Sequence, residues 1–571
     1  MKRLLYILAL VALPVVAQAQ VQKQVEVTKA YAPTLSEAHK MAITPNMVDT
    51  VKMTPDIDYT ISSRSYQTEL MLENFKPATI TYWNYTRRYP LYVRAAAGVP
   101  LASEVDAYIS TVNKDRGYAM AYVNHWGDYR NRKLLSGEKT TEKTTELSNR
   151  VGGRAGFFLG KKTLEVDLYA DQQVRHRYPV MGDMIRFGEL QGKLRFGDDF
   201  VDMSRWNFNV EVGGGIFSHK SRAAIANEER FRQTNLEADF VMAKQLGYHL
   251  FKLNVGYDGF YGGKSLEGYD NHTILAGLHY GVSGQKLLFA LGLDYYFNKI
   301  VGRIKKHNSF MPYARMGWKS STEAFVPYVE LSSGYKRSDL ASLLYSNPYF
   351  VASMEGMPYF MQMPNPHYAS LKVGIDGNLG KGLFSYSAMF EYRRQEDPLW
   401  VDYGGYYDID YAMYYPSWND PTLEYVIIDE SRTMRVNVGF KLHPIHWFEL
   451  EAMANVRVHE NKDYIPDVKP KFNTSVDVRF MGRKISAEVN LDYRSERRWL
   501  RHFDATADHE AYNGWVSTDG EFELGALIEW QINDRWGVYV EGRNLTGSQI
   551  QEWLHYYTSS PQGMVGVKMN F

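Results

Sequence analysis

The stretch that decides the fold is His446-Trp447-Phe448-Glu449-Leu450-Glu451-Ala452-Met453-Ala454-Asn455-Val456-Arg457-Val458-His459. Phe448, Leu450, Ala452, Ala454, Val456 and Val458 share one phase, while Glu449, Glu451, Asn455, Arg457 and His459 share the other. A period of two with one apolar and one charged face is the mark of a β-strand between two unlike environments. The run extends for about a dozen residues, roughly twice the usual strand of a soluble protein and enough to cross a bilayer at a tilt.

The pattern recurs along the chain. Leu164, Val166, Leu168 and Ala170 alternate with Glu165, Asp167 and Asp171. Ile485, Ala487, Val489, Leu491 and Tyr493 alternate with Lys484, Glu488, Asp492 and Arg494. Phe522, Leu524, Ala526, Ile528, Trp530 and Ile532 mark a further strand, and Val565, Val567, Met569 and Phe571 the last. Very short links join such segments at Lys114-Asp115, Lys161-Lys162, Gly284-Gln285, Pro444-Ile445, Gly482-Arg483 and Asp534-Arg535. Long polar and aromatic connections, over 128–148, 337–365, 395–431 and 495–519, fall between them. Alternation of tight turns and long loops is the asymmetry of an outer-membrane barrel, whose turns face the periplasm and whose loops face outward. The count is about 22 strands, an all-β transmembrane antiparallel barrel with both ends at the periplasmic rim. Trp126, Trp206, Trp318, Trp447, Trp530 and Trp536 sit near strand ends, as interfacial girdles do.

Composition agrees and excludes other classes. In 571 residues, Lys+Arg 65 balance Asp+Glu 65, which leaves no basic excess for nucleic acid. With Cys 0 there is no disulfide, thiolate nucleophile or cysteine metal site. Mean hydropathy is −0.40 although aromatics reach 14%, an odd pairing in one chain. Residues 1–19 read as a signal peptide: Lys2-Arg3, an apolar run from Leu4 to Val16, then Ala17-Gln18-Ala19 before a mature start near Gln20. Residues 20–89 read as an irregular periplasmic or luminal extension, a plug remnant or a tether, and 90–571 as the barrel. The compartment expected is the outer membrane of a Gram-negative cell.

Val540-Glu541-Gly542-Arg543-Asn544-Leu545-Thr546, followed by a Gly-rich strand ending at Phe571, resembles the close of a TonB-dependent receptor barrel. Val25-Glu26-Val27-Thr28-Lys29-Ala30, with Tyr31-Ala32-Pro33-Thr34-Leu35 after it, is similar to the entry of that family's plug. The likeness is to receptors of the Bacteroidota type, and it implies that Val25, Glu26, Val27 and Thr28 serve as an energy-coupling box. Only about 70 residues separate the signal from the first strand, whereas the family's plug takes well over a hundred. The sequence therefore reads as a plugless relative. Something else must occupy the wide lumen: residues 20–89, inward-folded loops, or a partner.

Recognition falls to the loops. From Trp400 to Trp418 there are eight aromatics in nineteen residues, among them Trp400, Tyr403, Tyr406, Tyr407, Tyr411 and Trp418, interleaved with Asp402, Asp408 and Asp410. Such rings suit a protein interface or sugar stacking, and equally the packing of loops over the barrel mouth. Arg497, Arg498 and Arg501, beside Arg494 and His502, form a basic patch suited to lipopolysaccharide phosphates or a partner. Met354, Met357, Met361 and Met363 read as a packing surface rather than a copper or haem site. No nucleophile, base and orienting group stand at motif spacing, so no catalytic, cofactor or metal residues are assigned. The sequence thus points to a non-enzymatic barrel with two open roles. One is a structural or assembly subunit beside other outer-membrane proteins or surface lipoproteins. The other is transport of a bulky solute.

Overall fold

The computed structural model describes residues 89–571 except 112–115, 131, 133–143, 177–183, 222–228, 285, 302–306, 321–322, 338, 347, 350–364, 397–398, 405, 409–412, 416–421, 428–429, 461–469, 504–511, 554–555 and 558–559. Twenty-two strands form one antiparallel sheet, each paired with its neighbours in chain order, and the first pairs with the last. They range from the eight residues of Trp536–Arg543 to the eighteen of Glu229–Leu246. Closure leaves the barrel sheet no edge, the condition under which strands can sit in lipid with every ladder group satisfied.

The seam is held by backbone and charge together. Phe571 N donates to Leu91 O at 2.8 Å and Leu91 N to Phe571 O at 2.7 Å. On the luminal side Arg94 meets Glu541 at 3.0 Å and Glu104 at 3.3 Å, and Arg543 meets Glu104 at 2.6 Å. Arg94 also lies over the Tyr539 ring, 4.4 Å from its centre. That ring in turn covers Gly566, where an added Cβ would come within 2.2 Å of it. Tyr122 covers Gly152 in the same way, 2.5 Å from where a Cβ would stand. Inward tyrosines laid on strand glycines account for part of the chain's 43 Tyr and 45 Gly.

Alternation sorts the faces as the sequence predicts. Outward Leu278 is 68% exposed and outward Ile528 56%, whereas inward Tyr296 and Phe217 are each 0%. Exposed apolar residues on the outside and charges inside reconcile the polar mean hydropathy with a membrane protein. Five of the six tryptophans named above gather at one rim, the one with the tight turns: Trp206, Trp318, Trp447, Trp530 and Trp536 are all exposed there. Trp126 departs from the expectation. It shares the luminal phase of its strand with Asn124 and Tyr122, under the Arg175 guanidinium at 5.9 Å, so it belongs to the lumen and not to the girdle.

One turn also moves. The strand Glu430–Ile445 continues through Pro444, and the reversal comes at His446-Trp447. Pro444 has no N–H to give the ladder, and the register slips between Leu442 and Ile445.

Candidate functional site: a loop folded into the lumen

After the strand Val326–Tyr335 the chain turns inward. Helix α1, Leu340–Ser346, starts at Asp339, whose carboxylate accepts from Ser342 N at 2.7 Å while Ser342 Oγ accepts from Asp339 N at 3.0 Å. This reciprocal cap satisfies donors that a seven-residue helix otherwise leaves open. Leu340, Ala341, Leu343 and Leu344 are buried. Each leucine removed from water contributes about 1.5–3 kcal/mol as an upper bound.

Polar anchors come from the inner wall. Arg337 Nη1 lies 3.0 Å from Glu237 and 2.8 Å from Asp258, on two adjacent strands, and its Nε pairs with Asp339. Burial works against its charge, but Asp339, Asp258 and Glu237 outweigh burial and hold its pKa above the ordinary arginine range. Ala341 N donates to Gln233 Oε1 at 3.2 Å. The Tyr345 hydroxyl donates to Asp171 at 2.9 Å, its ring edge-on to Phe187 at 5.4 Å and 6.1 Å from Phe217. Burial, and then the charges of Glu189 and Asp171, push this phenol well above its usual pKa. Tyr349 donates to Glu146 at 2.5 Å. On the return, Asn365 Nδ2 donates to Thr273 Oγ1 at 3.1 Å. The segment leaves the wall at one strand and is fastened to seven others, from Glu146–Leu159 round to Asn271–Ser283, in the outer half of the lumen.

The opposite wall is built otherwise. From Glu430–Ile445 to Glu521–Gln531 its luminal residues are paired across strands into a ladder. Arg479 alone reaches Glu449 at 2.9 Å, Glu488 at 3.3 Å, Glu451 at 3.8 Å and Asp477 at 3.9 Å. Lys441 meets Glu449 at 3.0 Å, and Arg494 meets Glu523 at 3.5 Å. These groups stay partly exposed, so this side of the described lumen is wet.

The residues expected to carry recognition fall in the outer loops. Trp400 and Tyr403 lie in the strand Leu399–Gly404, which pairs with Thr422–Ile427, and Tyr406 and Tyr407 in the short strand Tyr406–Asp408. Arg497, Arg498 and Arg501 lie in the strand Arg497–Phe503, which pairs with Tyr512–Thr518. A parallel bridge between Tyr403 and Arg501 joins the two loops into one four-stranded sheet, so the backbones of the aromatic and basic sets meet. Arg497 is buried in an ion pair with Glu521 at 2.5 Å. Tyr411, Trp418, the coupling-box residues Val25, Glu26, Val27 and Thr28, and Met354, Met357, Met361 and Met363 lie outside the described residues. The anchors Arg337, Tyr345 and Tyr349 were not singled out by sequence. Their only signal was a run of apolar residues, Leu340 to Leu344, inside a long loop.

A closed barrel with an apolar exterior, a polar lumen, tight turns at one rim and long loops at the other is an outer-membrane β-barrel. More narrowly, its 22 strands have the fold of TonB-dependent receptor barrels. The FrpB iron transporter from Neisseria meningitidis superposes with a TM-score of 0.64 at 9% identity, over 85% of this chain and 81% of that one. The siderophore receptor PirA from Acinetobacter baumannii gives 0.64 at 10%, over 85% and 81%. The ferripyoverdine receptor of the Pseudomonas aeruginosa outer membrane, bound to ferripyoverdine, gives 0.61 at 11%, over 85% and 72%. At these identities the likeness is one of fold. No protein-family model matches the chain, and no curated protein matches it by sequence.

Proposed function

We propose that this chain is a plugless, non-enzymatic barrel that serves as a structural or assembly subunit of a larger outer-membrane complex. The observation that carries this reading is the anchoring of 336–349. A segment fastened to so many wall strands by a buried cation and tyrosine hydrogen bonds is a built partition, and it narrows the passage a bulky solute would need. The surface left for engagement is the outer sheet that joins the aromatic and basic loops, with the strand edges of Thr422–Ile427 and Tyr512–Thr518 at its margins.

A second reading, loop-gated transport, is favoured by the wet ladder on the opposite wall and by the transport and receptor roles of the proteins that share the fold. Two measurements separate them. A gentle detergent extraction should retain stoichiometric partner chains, and recovery of a lone monomer overturns the subunit reading. In planar bilayers the wild-type barrel should stay closed. Replacing 339–349 by a Gly-Ser linker should open a large conductance. A wide, stable pore in the unmodified chain favours transport.

A further inference from the structure

Three polar side chains stand together on the lipid-facing phase of the wall, where apolar residues are expected. Ser103 shares its phase with exposed Leu101 and Ile109, His125 with exposed Val123, and Asn149 with exposed Val151. They come from three neighbouring strands, Ala102–Ser110, Gly117–Asp128 and Glu146–Leu159. The register sets Asn149 directly opposite His125, and His125 opposite Val105, the next outward residue after Ser103. Ser103 Oγ lies 2.8 Å from His125 Nε2, and His125 Nδ1 lies 2.6 Å from Asn149 Oδ1. All three are half-buried, so the hydrogen bonds are sheltered while the hydroxyl stays within reach from outside.

The proton positions follow from the partners. An amide oxygen only accepts, so His125 carries its proton on Nδ1 and leaves Nε2 bare. Ser103 then donates to Nε2, which readies Oγ to give up its proton. The Tyr129 hydroxyl, 3.2 Å from Ser103 Oγ, is left to donate to it. Its ring folds back over Gly127, the residue opposite Ser103, where an added Cβ would come within 2.6 Å of the phenol oxygen. These are the parts of a serine hydrolase: nucleophile, base, a group that orients the base, and a donor for a developing oxyanion. The surroundings select the substrate. Ser103 is the second residue of its strand, and His125 and Asn149 are each fourth from the loop-rim end of theirs. Toward the middle of the membrane the register stacks Ala107, Val123 and Val151 in one row and Ile109, Ala121 and Gly153 in the next. This apolar track, about 10 Å across three strands, suits an acyl chain whose ester lies at the level of the rim.

We propose that Ser103, His125 and Asn149 form an esterase site on the outer wall, acting on a carboxylic ester of a membrane lipid. Ser103 Oγ attacks the ester carbonyl carbon while His125 Nε2 takes its proton, and the carbonyl oxygen that gains the electron pair accepts from Tyr129. The bond to the alcohol oxygen then breaks, that oxygen takes the proton from His125, and the acyl group stays on Ser103. Water attacks the acyl-serine and gives a proton to His125, which passes it to Ser103 Oγ as the fatty acid leaves. The sum is ester plus water to acid plus alcohol. Asn149 acts through His125 as a positioning residue. The inference goes beyond the role proposed above and revises it in one respect, since the non-enzymatic reading then holds for the lumen and loops alone. Spacing in the chain hid the site: its members lie 22 and 24 positions apart and meet only through strand pairing.

The test uses the full-length barrel in detergent, with a hexadecyl fluorophosphonate as probe. Attack by Ser103 Oγ forms an O–P bond and expels fluoride, and tandem mass spectrometry locates the adduct. Wild type should be labelled at Ser103, and Ser103→Ala and His125→Gln should cut labelling about a thousandfold or more. Asn149→Leu should slow it about a hundredfold, and Asn149→Asp, which keeps an acceptor for Nδ1–H, should restore it to within about tenfold. Ser148→Ala, on the luminal phase, should label like wild type. Heat-modifiable gel migration reports that each variant folds. Turnover is read as fatty acid released from phosphatidylethanolamine vesicles and from purified lipopolysaccharide. Release from either, lost in Ser103→Ala, supports the site and identifies the lipid. Absence of label on Ser103, labelling that survives His125→Gln, a wild-type rate in Asn149→Leu, or release from neither lipid each overturns the proposal.

Discussion

The two sides of the lumen solve the same problem in opposite ways. Both carry inward charges, yet one side is filled and the other is wet. On the filled side, Phe187 and Phe217 against Tyr345 and Gln233 against Ala341 are almost wholly buried. On the wet side the strands Phe472–Met481 and Ile485–Arg494 bury no residue completely. Charge in the first setting is structural, because Arg337 is the counter-ion of carboxylates that have lost water. Charge in the second, around Arg479, is hydrated, and the ion pairs there are close to neutral in their effect on stability.

Substitutions of like kind should therefore have unlike results. Arg337→Met leaves Glu237, Asp258 and Asp339 without their shared cation, which should destabilise the inserted segment by about 3–5 kcal/mol. Hydrogen exchange of 339–346 should rise to that of a free loop, and a protected helix would break the comparison. Tyr345→Phe removes one hydrogen bond to a carboxylate and should cost about 1.5–3 kcal/mol in the same measurement.

The pH dependence of that anchor has a definite sign. Because the folded-state pKa of Tyr345 is raised, its contribution is complete below the ordinary tyrosine value of about 10 and is lost as the pH climbs through the raised one. With the base-catalysed intrinsic rate divided out, the protection of 339–346 should accordingly be flat up to about pH 10 and fall above it in wild type more than in Tyr345→Phe. The smallest structural effect belongs to Arg479→Met on the wet wall. Thermal stability should change by no more than about 1 kcal/mol, while the conductance opened by the 339–349 linker shifts toward cations, as Asp477 and Glu488 lose this cation and Glu449 and Glu451 keep only Lys441. A reversal potential measured in a potassium chloride gradient reads that shift, and a large loss of stability would contradict the hydrated-wall account.

Strand phase made the barrel legible. In the strand 448–459 every residue but Met453, an apolar side chain in the luminal phase, faces the way its polarity dictates, because a slip of one position would send every charge into lipid. The partition was not legible. Tyr345 lies 174 positions from Asp171, and Tyr349 lies 203 from Glu146, so no local pattern encodes either contact. Helix α1 is too short to show a periodicity of its own. Trp126 misled because its place near a strand end suggested a girdle while its phase pointed inward.

The reciprocal bonds between Leu91 and Phe571 bear on how the molecule comes into being. The first strand can acquire its second neighbour only when the last one exists, so the cylinder has no closed intermediate built from its early strands alone. Until that moment both outer strands carry bare backbone edges, and their apolar phases face water. A chain wired in this way must be kept from pairing with its neighbours until it meets the membrane. Its assembly rate should then follow the slow union of its two ends rather than the quick zipping of adjacent hairpins.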